Sequence, residues 1–567
     1  MATTDGRYVL VYNGEVYNFR EIRRELEALG ETFSSSGDTE VVLKALVRWG
    51  GAAVERFRGM FAFGLWDERE RKLLLARDRL GVKPLYLVSG PNGLAFSSEV
   101  RTLLAAGAAP RVLSPRGLLG YMRFGSVEEP DTLIAGVLSL APGALLDYDG
   151  NETRERRYWA IPSGPPQPMS RQDAVGGIRA LLHEATRLRL VSDVPFGIFL
   201  SGGGDSSALA ALASEEASSP VHTFTVVFSE TDFSEEKWAE DVSGRFGCVH
   251  HSVHVTGAEA AEHLPEAFRA QDQPSGDGLN SWLVSRAARR AGLSMALSGL
   301  GGDEVFAGYR NFRLFGRLIL ASRTARAIPP GIASLLERHM ARPGAGNTGR
   351  KAVAVARAHG RPLEVYGALR RVFTDSQLEF LMPGPAFRRI NAGSAPAVSS
   401  ADMPWAADAG DVVNLFSRFE LAYYLRNTLL RDTDAMSMAN SLEVRVPFLD
   451  HRLLEFLLAV PGEMKIGHGL NKPLLFDAVT TLPREVGRRP KMGFVLPLAE
   501  WFHGPMKGEM KEILLGLPGP SAGILRRPAT RAVWESFLRG DGITASRLWS
   551  LASLSAWVAE HDLILPW

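Results

Sequence analysis

Short apolar runs broken by glycine turns fill the first quarter of the chain, at 8–12, 60–66, 72–76, 85–88 and 94–97. Runs of that length between turn residues predict strands. Between the first two, apolar Phe19, Ile22, Leu26 and Leu29 recur at helical spacing, and a second helical pattern covers 39–49. The mixture predicts an α+β domain with an antiparallel sheet over residues 1–158. Residues 161–168 (IPSGPPQP) are rich in proline and glycine, which places a linker at 159–171. Beyond it the texture changes. A helix at 172–190 precedes a strand at 194–200, a helix at 207–215 and a strand at 221–228. A helix at 234–246, a strand at 249–255, a helix from Ser281 and a strand at 294–298 continue the alternation. Alternating strand and helix predicts an α/β parallel sheet covered on both faces, here in a second domain at 172–567. From about Phe312 onward the pattern is mostly helical.

Bulk properties narrow the classes. A chain of 567 residues exceeds what one core supports, which agrees with two domains. Lys and Arg number 64 against 63 Asp and Glu, for a net charge of +1. No global field draws it to nucleic acid or to a membrane. No apolar run is long enough to span a bilayer and no signal peptide is apparent, so the cytoplasm is the expected location. The single cysteine, Cys248, excludes an internal disulfide framework and a cysteine metal cluster. Beside the predicted strand VHHSVHV it reads as a small buried residue.

The chemistry is concentrated in two loops. Ser201-Gly202-Gly203-Gly204-Asp205-Ser206-Ser207 follows an apolar strand and precedes a helical run. Glycines let backbone N–H groups approach an oxyanion, and a helix start adds partial positive charge. The serines add hydroxyls. Asp205 fits among phosphate-seeking groups if a divalent cation bridges them. The loop lacks the Gly-Lys-Ser/Thr ending of a Walker loop. It resembles the pyrophosphate loop of ATP pyrophosphatases. Ser298-Gly299-Leu300-Gly301-Gly302-Asp303-Glu304 repeats the logic at the end of another predicted strand. Both loops then lie at the carboxyl edge of one sheet, where open α/β sheets bind ligands. Asp205 and Asp303 could share one Mg2+. Taken alone, Asp303-Glu304 is equally a solvated helix start. The stretch from Asp434 through Glu443 and Arg445 to Asp450-His451 mixes charge into apolar sequence, which is compatible with a structural ion-pair network.

The chain resembles the glutamine-hydrolysing asparagine synthetases and their relatives the β-lactam synthetases. SGGGDSS and SGLGGDEVFAGY match the family's ATP-site loops. DAMSMANSLEVRVPFLDHRLLEF, Lys472 in LNKPLLFDAV and RPKMGFVLP at 489–497 match its C-terminal blocks, the last a loop that covers the site. The resemblance implies that Ser201, Gly202, Gly203, Asp205, Ser206 and Ser207 hold pyrophosphate. It implies adenosine contacts from Val226, Ser298 and Gly299, and Mg2+ on Asp205 and Asp303. Lys472 would stabilise phosphate charge, and Glu443 would orient a partner or the nucleophile. A carboxylate would attack the α-phosphate of ATP, and ammonia would displace AMP from the acyl-adenylate.

The first domain resembles the family's class II, Ntn-type amidotransferase domain, through Asn13-Gly14-Glu15, Ser36-Gly-Asp38, RGMFAFGLWD and LARDRLGVKPLY. Asn13 and Gly14 would form an oxyanion hole, while Glu15 and Asp38 would hold the ends of glutamine. Asn-Gly is also a strong hairpin signal, and both readings can hold. The family's nucleophile is a cysteine freed by removal of the initiator Met, activated by its own α-amino group. Here position 2 is Ala2. The domain reads as incomplete, because strands that normally precede Tyr8 are missing. Either the gene start is set too far downstream, by roughly 50–80 residues, or the domain is a remnant. The first is favoured, because a remnant has no need of Asn13, Glu15 and Asp38. As written, the sequence predicts no glutaminase activity and an unpaired sheet edge.

A second departure concerns the substrate. Asparagine synthetases resembling this chain carry an acidic residue, and β-lactam synthetases a tyrosine, where this chain has Leu300. Gly204 stands where a bulkier apolar residue is usual. Asp277 and Asn280 fall where the family contacts its acyl substrate. The expected activity is ATP-dependent amidation of aspartate. The alternatives are amidation of another carboxylate, such as a sugar acid or a peptide, and a catalytically impaired nucleotide-binding paralogue. A tRNA-modifying pyrophosphatase is disfavoured by the lack of a basic surplus. The expected partners are small molecules (ATP, the carboxylate, glutamine or ammonia), with homodimerisation left open.

Overall fold

The computed structural model describes residues 1–566 except 91–92, 230–234, 326–330, 332–334, 336–346, 393–402, 404–409, 490–495 and 517–520. Among the described residues, thirteen strands fall into three sheets. Strands β1 (Tyr8–Val16), β2 (Gly59–Asp67) and β3 (Lys72–Arg77) come first. They are followed by β4 (Tyr86–Gly90), β5 (Gly93–Ser97), β6 (Val137–Ser139), β7 (Ala144–Tyr148) and β8 (Thr153–Arg157). The order β1-β2-β3-β7-β8 makes one antiparallel sheet, and β5-β4-β6 a smaller one. Helices Phe19–Ala28 and Asp38–Trp49 cover one face of the larger sheet, burying Ile22, Leu26, Val42 and Leu46 against Phe61 and Phe63. The smaller sheet covers the other face through Phe96, which reaches Gly64 so closely that a Cβ there would lie 2.5 Å from its ring.

β1 is the edge of its sheet among the described residues. Its free side meets the bridge from Ala2 to Val9, the flanking bonds of Met1 and Thr3, and Asp38 at the Val16 N–H, and Val9 and Val11 remain exposed. Asn13 and Gly14 do not turn a hairpin. They lie inside β1 opposite Ala62 and Phe61. Gly14 has a φ of +140°, and a Cβ on it would stand 2.1 Å from the Met60 carbonyl oxygen. Close strand approach explains this glycine.

Residues 158–170 run without regular structure, pinned by Trp159 Nε1 donating to Glu455 at 2.7 Å. The second sheet holds β9 (Phe196–Phe199), β10 (His222–Phe228), β11 (Val249–Val255), β12 (Met295–Leu297) and β13 (Glu443–Arg445). Its order is β11-β10-β9-β12-β13, all parallel. Chain order therefore runs outward from β9 through β10 to β11, then restarts on the other side at β12. The reversal between β9 and β12 leaves a crevice beyond their carboxyl ends. β13 is an addition to the predicted set. Helix Arg171–Arg189 leads into β9, and helices Gly204–Glu216, Glu236–Arg245 and Gly278–Arg290 lie in the crossovers between parallel strands. Position 234, the predicted start of the helix now seen at Glu236–Arg245, lies outside the described residues. Mostly helical chain follows from 302, including a π-helical stretch at Glu420–Leu430. No helix among the described residues is long and apolar enough to cross a membrane.

Candidate active site

The crevice opens into a cavity of 560 Å³. Both glycine loops line it. The first leaves β9 at Leu200, passes Gly202 at φ +64°, and enters helix Gly204–Glu216 with extended Gly203 as N-cap. The helix starts three residues earlier than its apolar pattern suggests, so Asp205, Ser206 and Ser207 occupy its first turn. Ser206 Oγ accepts from the Ser201 N–H at 3.2 Å and donates to the Gly203 carbonyl at 3.3 Å. These bonds fix the loop with its N–H groups at the N-terminal, positive end of the helix. A Cβ on Gly202 would sit 2.8 Å from Trp238 Cβ, so glycine lets the next crossover pack against the loop.

The second loop leaves β12, turns at Gly301 (φ +92°) and enters a single helical turn, Gly302–Val305. The loops touch through missing Cβ atoms. Cβ positions on Gly299 and Gly302 would lie 3.0 Å from Asp205 Cβ and 2.4 Å from its Cγ. Asp205 and Asp303 thereby converge on one cation, Lys472 Nζ, which is 2.6 Å from Asp303 and hydrogen-bonded to Asp205. Burial alone would lower the ammonium's proton affinity, and the two carboxylates more than offset it.

Of the residues singled out from the sequence, Ser201, Gly202, Gly203, Asp205, Ser206, Val226, Ser298, Gly299, Asp303 and Lys472 all line this cavity. Ser207 does not. It is fully buried in the helix behind the wall. Glu443 does not either. In β13 the side chains alternate, so Val444 faces the cavity while Glu443 and Arg445 turn the other way. Arg445 Nε donates to Glu443 at 2.5 Å, and its Nη2 lies 3.5 Å from Glu15 of the first domain. Of the covering stretch 489–497, positions 490–495 lie outside the described residues. Arg489 is described and lines the cavity, stacked 3.9 Å above Trp238 and donating to the Gly202 carbonyl at 3.2 Å.

The cavity is also lined by Asp277, Asn280, Leu300, Tyr424 and Asp432. Asn280 Nδ2 donates to Asp277 at 3.2 Å. Burial, reinforced by Asp432, pushes the Asp277 carboxyl up to about 7. If this cavity takes ATP and a carboxylate, as the sequence resemblance implies, replacing Asp277 by Ala is expected to raise KM for that carboxylate about tenfold or more while leaving KM for ATP unchanged. Steady-state kinetics of pyrophosphate release check this, and equal KM values for the carboxylate would remove Asp277 from that role. Tyr424 was not legible in the sequence. It reaches the cavity from the π-helical stretch, whose buried Glu420 is held by Arg370 at 3.0 Å.

The remaining site residues singled out from the sequence lie in the first domain. Asp38 Oδ2 accepts from Tyr12 Oη at 2.7 Å and from the Val16 N–H at 2.9 Å. Asn13 Nδ2 donates to Ser98 Oγ at 3.1 Å. Burial, with Glu443 nearby, pushes Glu15 up to about 7. Asn13, Gly14, Glu15 and Asp38 are thus neighbours across β1 and the start of the second helix. Cys248 is in the other domain, half-buried, 3.3 Å from Ser214 Oγ, with its thiol pushed up by burial.

Comparison with known proteins bears on both halves. Residues 177–559 match the family model described as asparagine synthase, and residues 1–159 the one described as glutamine amidotransferase domain. The chain is 32% identical over 518 residues to glutamine-hydrolyzing asparagine synthetase 1 of Bacillus subtilis, covering 90% of this chain and 78% of that protein. It is 28% identical over 559 residues to glutamine-hydrolyzing asparagine synthetase 3 of the same organism, covering 96% and 83%. It is also 27% identical over 592 residues to amidase chyE of Penicillium rubens, covering 96% and 85%.

Proposed function

The chain belongs to the asparagine synthase family, and on that footing we propose that it amidates the side-chain carboxylate of aspartate at the expense of ATP. Membership makes it an ATP-dependent amidotransferase ligase, a carbon–nitrogen bond former. The proposal concerns substrate, nitrogen source and residue roles. The observation that carries it is the convergence of Asp205, Asp303 and Lys472 at the mouth of two glycine loops, with a carboxyl-lined recess in the same cavity.

In this reading Val226, Ser298 and Gly299 flank the nucleoside, and the Ser201–Ser206 loop holds the β- and γ-phosphates on its N–H groups. The donor set fits Mg2+, which takes one or two protein carboxylates and completes its shell with phosphate and water. When bound, that ion neutralises charge on the triphosphate. The substrate carboxylate oxygen attacks the α-phosphorus, and the bond to pyrophosphate breaks. Lys472 stabilises the charge that develops on the departing oxygens. Ammonia then attacks the acyl carbon, AMP leaves with its electron pair, and the nitrogen loses a proton. Glu443, turned away from the cavity beside Arg445 at the junction of the domains, is given no direct role at the acyl carbon in this reading.

In this reading the nitrogen that attacks the acyl carbon is ammonia, and the one thiol of the sequence, Cys248, lies in the synthetase half. The test is pyrophosphate release from Mg-ATP and aspartate, with ammonium or with glutamine. Release with ammonium and none with glutamine is expected, together with asparagine in the product. Equal release with glutamine would overturn the account of the nitrogen source. A second reading, amidation of another carboxylate such as a sugar acid or a peptide, is favoured by one observation. Leu300 presents an apolar wall to the recess. Absence of aspartate-dependent release, with intact nucleotide binding, would select it.

A further inference from the structure

The Lys472 ammonium occupies the point where a metal on Asp205 and Asp303 would sit. Four features show that the chain is built around this contact. Lys472 is a non-glycine residue in the left-handed region, at φ 51°, directly before Pro473 and a short helix. Such a conformation persists at a site only when the surroundings impose it. Its side chain is 5% exposed. Gly308 makes room for it, since a Cβ there would fall 2.3 Å from Lys472 Cε and 1.9 Å from Asp303 Oδ1. Asn471, the preceding residue, is anchored by its N–H to the Gly487 carbonyl at 2.8 Å and by Nδ2 to the Gly308 carbonyl at 3.2 Å.

We propose that Lys472 is an internal counter-ion that occupies the metal position in the nucleotide-free protein, excludes free divalent cations, and yields only to a cation that arrives with ATP. The inference rests on the ATP-site reading above. A divalent ion arriving alone must displace the ammonium from both carboxylates and leave that positive charge beside its own. An ion arriving on a triphosphate brings several phosphate oxygens with it. The ammonium can then exchange one set of anionic partners for another by a small swing of a flexible side chain. The trade is unfavourable without nucleotide and favourable with it. Metal and nucleotide affinities are thereby coupled, and the coupling is reciprocal.

The test is Mn2+ binding followed by electron paramagnetic resonance of the free ion, with no carboxylate substrate present. Wild-type protein is expected to leave the free Mn2+ signal unchanged and, when α,β-methylene-ATP is added, to remove Mn2+ beyond what the analogue binds in a protein-free control. Lys472→Gln and Lys472→Met are expected to bind Mn2+ without nucleotide, tighter than wild type by about tenfold or more. Adding Asp205→Asn to either should abolish that gain, with the melting temperature of each variant confirming its fold. Nucleotide-free Mn2+ binding by wild type that is lost in Asp205→Asn would overturn the inference. So would folded Lys472 variants that bind no better than wild type. The wild-type arm decides even if the variants do not fold. If wild type binds neither Mn2+ alone nor Mn2+ with the analogue, the nucleotide-site reading itself fails, which separates the two failures.

Discussion

Asp205→Asn is expected to lower aspartate-dependent ATP–pyrophosphate exchange by about 10^3-fold, at the upper end of what removal of one preorganised electrostatic group costs. The substitution keeps shape and removes charge. Shape matters here because Asp205 is pressed against the second loop, where a Cβ on Gly302 would already lie 2.4 Å from its Cγ. It also leaves Lys472 with Asp303 as its remaining carboxylate partner of the two. Gly302→Ala supplies the complementary arm. It keeps every charge but drives the Asp205 carboxyl out of place, and is expected to lose about 10^2-fold, as a misplacement near 1 Å does. Both changes touch buried groups, Gly302 itself and the Lys472 that Asp205 pairs, so a lowered melting temperature with a native-like far-UV spectrum should accompany both losses. Exchange within about threefold of wild type in Asp205→Asn would remove this residue from the chemistry.

The two glycine loops were legible because each sits where the hydrophobic period changes from strand to helix, and that change alone places both at one sheet edge. Other parts were not. Asn13-Gly14 carries a strong turn signal, but Gly14 is held in mid-strand by the closeness of the Met60 carbonyl, which lies 46 residues away in sequence. β13 is three residues long and two of them are charged. Its strand character comes from pairing with Met295–Leu297, not from local propensity. The outward aim of Glu443 follows from that pairing, so its distance from the cavity could not be read earlier. Tyr424 depends on a π-helical stretch stabilised by the Arg370–Glu420 pair, again a long-range matter. Trp238 beneath Arg489 is likewise invisible to spacing rules.

The charged C-terminal stretch was compatible with an ion-pair network, and the structure makes it a seam between the domains. Lys83 of the first domain bonds Asp434 at 2.7 Å, and Arg58 bonds Asp450 at 3.0 Å. Asp450 is 2% exposed and also accepts from Arg189 at 3.2 Å. Its other oxygen caps helix His451–Ala459 through the Arg452 N–H. Burial pushes the Asp450 carboxyl up, but Arg189 and Arg58 more than offset that and hold it at about 2.

Asp450→Ala therefore leaves two buried guanidinium groups without their shared carboxylate, and neither Nε has a hydrogen-bond partner to begin with. The expected loss is about 3–5 kcal/mol, the usual result of removing one partner from a buried pair. The pH dependence has a definite sign. A carboxyl depressed in the folded state stabilises above its unfolded pKa, and that stability is lost as pH falls through the folded value. From 3.8 unfolded to about 2 folded, the linked stabilisation is about 2 kcal/mol at pH 5, with about half gone by pH 3. The gap in denaturant stability between wild type and Asp450→Asn should therefore narrow over that interval. A gap that stays constant would place the carboxyl outside the network. Because Arg58 belongs to the first domain, the variant should also cleave faster at 158–170 in limited proteolysis. Unfolding of the first domain ahead of the second would show that these pairs hold the halves together rather than stabilising each alone.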